Sequence, residues 1–178
     1  MIVAGLVLAG GRSSRFGSDK ALALLDGRTL LDWTRAALEP HCIAVEVSGR
    51  TLPDAPGDSD GPLSGVKAGL AWARRIGATH LATLPCDTPW VPADLVPRLA
   101  AVEAPVVSVL TSEGPQPLCA LWSVELLETL AAALAEGHPS VQRWQAAMGG
   151  RTVAFENAAA FRNVNTRQEL PPPAGEVA

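Results

Sequence analysis

Apolar residues in this chain follow two rhythms that take turns. Ile2 to Ala9 is an almost continuous apolar run of strand length, the pattern of a parallel strand covered on both faces, and Gly10 stops it. From Thr29 to Leu38 the apolar positions Leu30, Leu31, Trp33, Ala37 and Leu38 recur at helical spacing, and Pro40 closes the segment. Ile43 to Ser48 reads as the next strand. A Pro-, Gly- and Asp-rich loop from Leu52 to Pro62 follows, of a length that tends to serve function.

The alternation continues with a helix over Ser64 to Ile76, ended by Gly77, and a strand over His80 to Leu84 that Pro85-Cys86-Asp87-Thr88-Pro89 breaks. Pro92 to Ala101 reads as a helix with proline in its first turn, and Pro105 to Leu110 as a β-branched strand. Thr111 to Pro117 is expected to be a turn and Leu118 to Trp122 a short strand. Helices are expected over Val124 to Ala135 and Val141 to Met148. Thr152 to Phe155 and Phe161 to Val164 read as short strands, and Thr166 as the cap of a last helical turn through Leu170. Residues 171–178 begin with three prolines and are expected to form a disordered tail, which leaves one domain over residues 1–170.

Strands alternating with helices imply right-handed crossovers and a single three-layer α/β/α domain with a mostly parallel sheet. Ligands of such sheets sit beyond the carboxyl ends of the strands, so chemistry is to be sought in the loops after Ala9, Ser48 and Leu84. Apolar residues make up 48% of the 178, which argues against disorder, and the net charge of −4 argues against a broad basic surface for nucleic acid. Three cysteines, at positions 42, 86 and 119, form neither a CxxC pair nor a disulfide framework and suit a reducing cytoplasm. The apolar start has no basic residues ahead of it and suits neither a signal peptide nor a membrane span.

The first of those loops carries Gly10 and Gly11, then Arg12, Ser13, Ser14, Arg15 and Lys20. Paired glycines after a strand let backbone N–H groups converge on phosphate oxygens. Glycines alone would be an ordinary strand-to-helix turn, but two arginines and a lysine in one loop of an acidic protein point to an anion site. The spacing is neither that of a P-loop nor that of a Rossmann fingerprint. In the loop after Leu84, Asp87 offers one carboxylate at a strand end. That suffices for Mg²⁺, which fills the rest of its octahedron with phosphate and water oxygens, although Asp before Thr-Pro is also a common turn former. Cys86 has no histidine near it in sequence and reads as a small buried residue, and His41, His80 and His138 lack metal spacing.

The string LAGGRSSRFGSDKAL resembles the signature of the molybdopterin-type nucleotidyltransferases, and its LAGG form resembles their guanylyltransferase branch. Gly61-Pro62-Leu63-Ser64-Gly65 is similar to the family's GPLAG element, Pro85 to Pro89 matches its PCDTP, and residues 163–170 resemble its NVNTPEEL, with Arg167 in place of the usual proline. The resemblance covers the chain up to Leu170 and implies a Rossmann-like sheet of the nucleotide-diphospho-sugar transferase type. It further implies that Leu8, Ala9, Gly10 and Gly11 line a nucleotide, that Arg15 and Lys20 act on its triphosphate, and that Asp87 holds Mg²⁺. Asp54, at the matching distance before GPLSG, is implied as a contact to the base, with Asp58 and Asp60 as alternatives in a loop of variable length. Ser48 stands where the family carries an asparagine that touches the nucleotide, and a simple strand end is an equal reading.

Two asparagines at i and i+2 leave a strand on the same side, so Asn163 and Asn165 are candidates for the pterin substrate. Gln116, before Pro117, is a weaker candidate for the same acceptor. Trp72, Trp122 and Trp144 fall on apolar faces and read as packing, whereas Trp90 stands in the loop beside Asp87. The implied reaction is transfer of GMP from GTP to molybdopterin, in its molybdenum-loaded form or without the metal, with release of pyrophosphate. The implied partners are GTP, that acceptor and, transiently, proteins of molybdenum-cofactor biosynthesis; neither nucleic acid nor membrane is expected, and the sequence leaves the oligomeric state open, with a monomer expected. A cytidylyltransferase, a sugar-1-phosphate nucleotidyltransferase and a non-catalytic nucleotide-binding regulator are the competing readings. The presence of both Lys20 and Asp87 counts against the last.

Overall fold

The computed structural model describes residues 1–9, 20–52, 61–137 and 139–164. Strand β1 (Val3–Leu8) leads to a small hairpin of β2 (Leu24–Leu25) and β3 (Arg28–Thr29), then helix α1 (Leu30–Leu38) and strand β4 (Val45–Ser48). Helix α2 (Pro62–Arg75), strand β5 (His80–Pro85) and the short helix α3 (Leu95–Ala100) follow. The chain then forms β6 (Val106–Thr111), β7 (Gly114–Ser123), α4 (Leu127–Glu136), α5 (Val141–Ala147) and β8 (Arg151–Ala154).

Six strands form one sheet in the order β4-β1-β5-β7-β6-β8, in which β7 runs antiparallel to both neighbours and the other pairings are parallel. The expected three-layer domain follows from how side chains alternate along each strand. Val3 and Val7 of β1 share one apolar layer with Leu84 and Val107, covered by Leu38 of α1 and Leu95 and Leu99 of α3. Ala4 and Leu6 share the other with Leu81 and Trp122, covered by α2, Leu130 of α4 and Trp144 of α5. Trp72, Trp122 and Trp144 are all buried, as their apolar settings in the sequence suggested. Local chemistry agrees with the elements. Thr29 caps α1 by accepting a hydrogen bond from the Asp32 N–H at 3.0 Å, and α2 opens with Pro62 at its first position.

Four elements differ from the sequence expectation. The helix expected from Pro92 begins only at Leu95. The expected turn from Thr111 to Pro117 shrinks to Ser112 and Glu113, because β7 already starts at Gly114. Pro115 and Pro117 are tolerated there because β7 pairs with β5 only as far as Thr83 opposite Ala120 and has β6 alone beyond it. The strand expected over Phe161 to Val164 is instead a 3₁₀ turn, Ala158–Phe161, that runs into irregular backbone. Phe161 and Val164 are both buried, three residues apart, which is the spacing of a turn and not of a strand. The β2–β3 hairpin was not anticipated, although Asp26-Gly27, with φ of 51° and 75°, is the dipeptide that favours such a turn. Gly10, Gly11, Arg15, Asp54, Asn165, the Thr166 cap and the tail lie outside the described residues.

Candidate active site

The register of the sheet sets Leu8 opposite Ser48 on one side and opposite Pro85 on the other. The loops after β1, β4 and β5 therefore leave the sheet at one level, which brings Leu8 and Ala9, Ser48, and Asp87 to one edge. Helix α2 opens on the same edge. A Cβ on Gly65 would come within 2.6 Å of Ser48 Oγ and 3.3 Å of Leu8 Cδ2, so only glycine lets the first turn of α2 rest on these strand ends. The helix thereby directs its amino end and positive dipole end toward the edge, where phosphate oxygens gain most. Ser48 is itself buried, with its hydroxyl against α2.

The Asp87 loop is held from four directions. Cys86 N–H donates to Leu8 O at 3.0 Å, and Thr34 of α1 donates from Oγ1 to Cys86 O at 3.3 Å. Thr88 Oγ1 donates to Pro85 O at 2.8 Å, and Val164 N–H donates to the Asp87 carbonyl at 2.9 Å. Such fixation keeps a carboxylate in place without reorganisation when ligand arrives. The carboxylate oxygen Oδ1 of Asp87 is sealed from solvent. A single hard oxygen donor at a strand edge is the kind of ligand Mg²⁺ takes, and the described residues contain no cluster of three or more His, Cys, Asp or Glu that would suit a softer or more heavily ligated ion.

Burial, and after it the negative charge of Asp87, push the Cys119 thiol up to about 12, against a smaller downward pull from hydrogen bonding with Thr88. Cys119 is thus a neutral thiol packed behind the carboxylate, not a nucleophile. Cys86 is buried as well, in keeping with its reading as a strand-end residue.

Beside Asp87 opens a cleft of about 830 Å³ lined by Trp90, Glu113, Gln116, Asn157, Arg162 and Asn163, among others. Its floor is the segment after β8, anchored by an edge-to-face contact of Phe155 and Phe161 at 5.1 Å and by Arg98, which lies 3.8 Å over the Phe155 ring. Arg162 and Glu113 form an ion pair across its lining at 3.1 Å. Asn163 thus reaches the site, although irregular backbone and not a strand delivers it, so the same-side argument for two asparagines does not hold at position 163. Lys20 begins a 3₁₀ turn, Lys20–Leu22, where the described chain resumes after residue 9.

Sequence reasoning missed Thr34, Thr88, Glu113, Arg162 and Gln145. For Thr34 a signal existed. It is a polar residue four positions from both Leu30 and Leu38 on the apolar stripe of α1, and it is fully buried. Gln145, next to Trp144 on the buried side of α5, is a similar case.

A family model described as the MobA-like NTP transferase domain matches residues 5–152. A molybdenum cofactor guanylyltransferase of Cereibacter sphaeroides is 40% identical over 178 aligned residues, covering 93% of this chain and 92% of its own length. Among solved structures, the molybdopterin-guanine dinucleotide biosynthesis protein A of Archaeoglobus fulgidus shares the fold with a TM-score of 0.65 at 18% identity, over 96% of this chain and 95% of that one. The manganese complex of Rv0371C from Mycobacterium tuberculosis H37Rv shares it with a TM-score of 0.59 at 18% identity, over 89% and 90% of the two chains. With level strand ends, a glycine-seated helix and a fixed aspartate at their edge, and with these matches along nearly its whole length, the chain belongs to the MobA-like nucleotidyltransferases.

Proposed function

We propose that this enzyme transfers GMP from GTP to molybdopterin, producing the guanine dinucleotide form of that cofactor and pyrophosphate. The observation that carries this reading is the direct seam between the two halves of the site. Asp87, at the nucleotide edge, accepts a hydrogen bond from Val164 N–H of the segment that floors the acceptor cleft, one residue beyond Asn163. Donor and acceptor sites that share a backbone hydrogen bond hold two reactants side by side, which is most of what phosphoryl transfer asks of a protein.

GTP binds with its triphosphate to Gly10 and Gly11 and to the amino end of α2, where backbone N–H groups donate to its oxygens. Arg15 and Lys20 neutralise the β- and γ-phosphates, and Asp54 receives the guanine N–H groups. Molybdopterin lies in the cleft, with Asn163 and Asn165 toward its pterin. An oxygen of the acceptor's terminal phosphate forms a bond to the α-phosphorus of GTP while the α–β bridging P–O bond breaks, and that electron pair leaves with pyrophosphate. Mg²⁺ held by Asp87 would supply neutralisation of the phosphate charge. No side chain forms a covalent bond to the transferred group. Cys119, the thiol beside Asp87, stays protonated and takes no part.

Transfer of label from α-labelled GTP, CTP, ATP and UTP to molybdopterin, with and without Mg²⁺, tests the reading. Magnesium-dependent labelling from GTP alone is expected. Labelling from CTP would assign the protein to the cytidylyl branch, and tight GTP binding without any transfer would overturn the enzymatic reading.

A further inference from the structure

Strand β7 carries an irregularity at the mouth of the acceptor cleft. Ser108 of β6 faces Ala120, yet the next residue, Val109, faces Gln116, so Pro117, Leu118 and Cys119 bulge out of the ladder. Pairing of β7 with β5 ends at the same level, at Thr83 opposite Ala120. Bulges re-aim side chains and are frequent beside active sites.

This bulge is fastened by buried side chains from two other elements. Gln145 of α5, only 6% exposed, donates from Nε2 to Pro117 O at 2.7 Å. Thr83 of β5 donates from Oγ1 to Leu118 O at 2.7 Å and itself accepts from Trp122 Nε1 at 2.9 Å. Immediately before the bulge, Gln116 is half-buried in the wall of the cleft. Its carboxamide offers one donor and one acceptor in a plane, the complement of an amino-oxo ring edge such as a pterin presents. A buried amide committed to a backbone carbonyl 28 residues away is costly to place unless that carbonyl must stay put.

We propose that Gln116 contacts the acceptor and that Gln145 is its positioning residue, acting through the bulge of residues 117–119. This rests on the reading of the cleft as the molybdopterin site. Gln116→Ala raises the KM for molybdopterin about tenfold and leaves the KM for GTP within twofold. Gln145→Met, which keeps the shape and apolar packing but removes the donor, raises the molybdopterin KM about threefold. The double variant is no worse than Gln116→Ala alone, because Gln145 has nothing left to position.

Additive losses in the double variant, or an unchanged molybdopterin KM in Gln145→Met, would leave Gln145 a packing residue and overturn its half of the proposal. An unchanged molybdopterin KM in Gln116→Ala, or a rise in the GTP KM instead, would overturn the whole of it while the wild-type reaction stands. No transfer by the wild-type enzyme would remove the guanylyltransferase reading first, and this inference with it.

Discussion

The two halves of the sheet meet their common edge in opposite ways. On one side of Asp87, the parallel strands β4, β1 and β5 end level with one another and a glycine seats α2 directly on them. On the other, antiparallel β7 leaves the ladder in a bulge, and irregular backbone after β8 completes the wall. The regular half presents backbone N–H groups and a helix dipole, which suit any phosphate chain. The irregular half presents side chains, Trp90, Gln116, Arg162 and Asn163, which can tell one acceptor from another. In the proposed function, generic handling of phosphate falls to repetitive backbone, and selection of the acceptor to departures from it.

Asp87 is where the halves join, so its loss has the largest effect. Asp87→Asn keeps the shape of the side chain and the backbone carbonyl that receives Val164 N–H, but removes the negative charge offered to a cation. The fold should survive, with kcat reduced by a factor of about 10³, equivalent to about 4 kcal/mol in the barrier. Steady-state transfer together with a thermal melt separates the two effects. Wild-type turnover in this variant would remove Asp87 from the chemistry and leave the halves joined by structure alone.

The same contrast explains what was legible in the sequence. Strands β1 and β5 are buried on both faces and write themselves as apolar runs, and the loops after them announce their chemistry with glycines and with an aspartate between prolines. The other half is assembled by contacts that sequence neighbours do not reveal. Gln145 reaches Pro117 across 28 positions, and Arg162 pairs with Glu113 across 49. Residues 161–164 were misread as a strand because four residues are too few to separate a period of two from a turn, and their burial was decided by Phe155 and by the Asp87 loop. Asn163 was singled out for its amide and does line the cleft, while the backbone that carries it was not foreseen.

A smaller effect probes the regular half. In Gly65→Ala the new methyl would stand 2.6 Å from Ser48 Oγ in a buried junction, a contact that forces α2 away from the strand ends. Overpacking of this kind costs up to about 3 kcal/mol, and alanine returns about 1 kcal/mol of helix propensity, so a net loss of about 2 kcal/mol is expected in denaturant unfolding. The KM for GTP should rise, and that for molybdopterin should not. Adding Ser48→Ala makes room and should restore both stability and GTP binding. If Ser48→Ala alone raises the GTP KM as much as Gly65→Ala does, Ser48 touches the nucleotide and is more than a spacer under α2.

The smallest effect compares a thiol from each half. Burial pushes Cys42, packed near α1 and β4, up to about 12, and Cys119 is raised to about 12 by burial and the adjoining Asp87 charge. Unfolded thiols titrate near 9, so between about 9 and 12 the native chain binds more protons than the unfolded one and stability must fall as pH rises. Each thiol contributes a slope approaching about 1.4 kcal/mol per pH unit, or a little over 1 kcal/mol lost by pH 10. Below pH 8 this contribution is constant and stabilising relative to alkaline solution. Urea unfolding at pH 8, 9 and 10 should therefore show Cys119→Ala losing less stability over that range than the wild type does, whatever its own cost at pH 8. Parallel curves for the two proteins would mean that Cys119 ionises freely in the folded state, and the tight wall behind Asp87, on which the fixed geometry of the acceptor half depends, would have to be looser than its contacts imply.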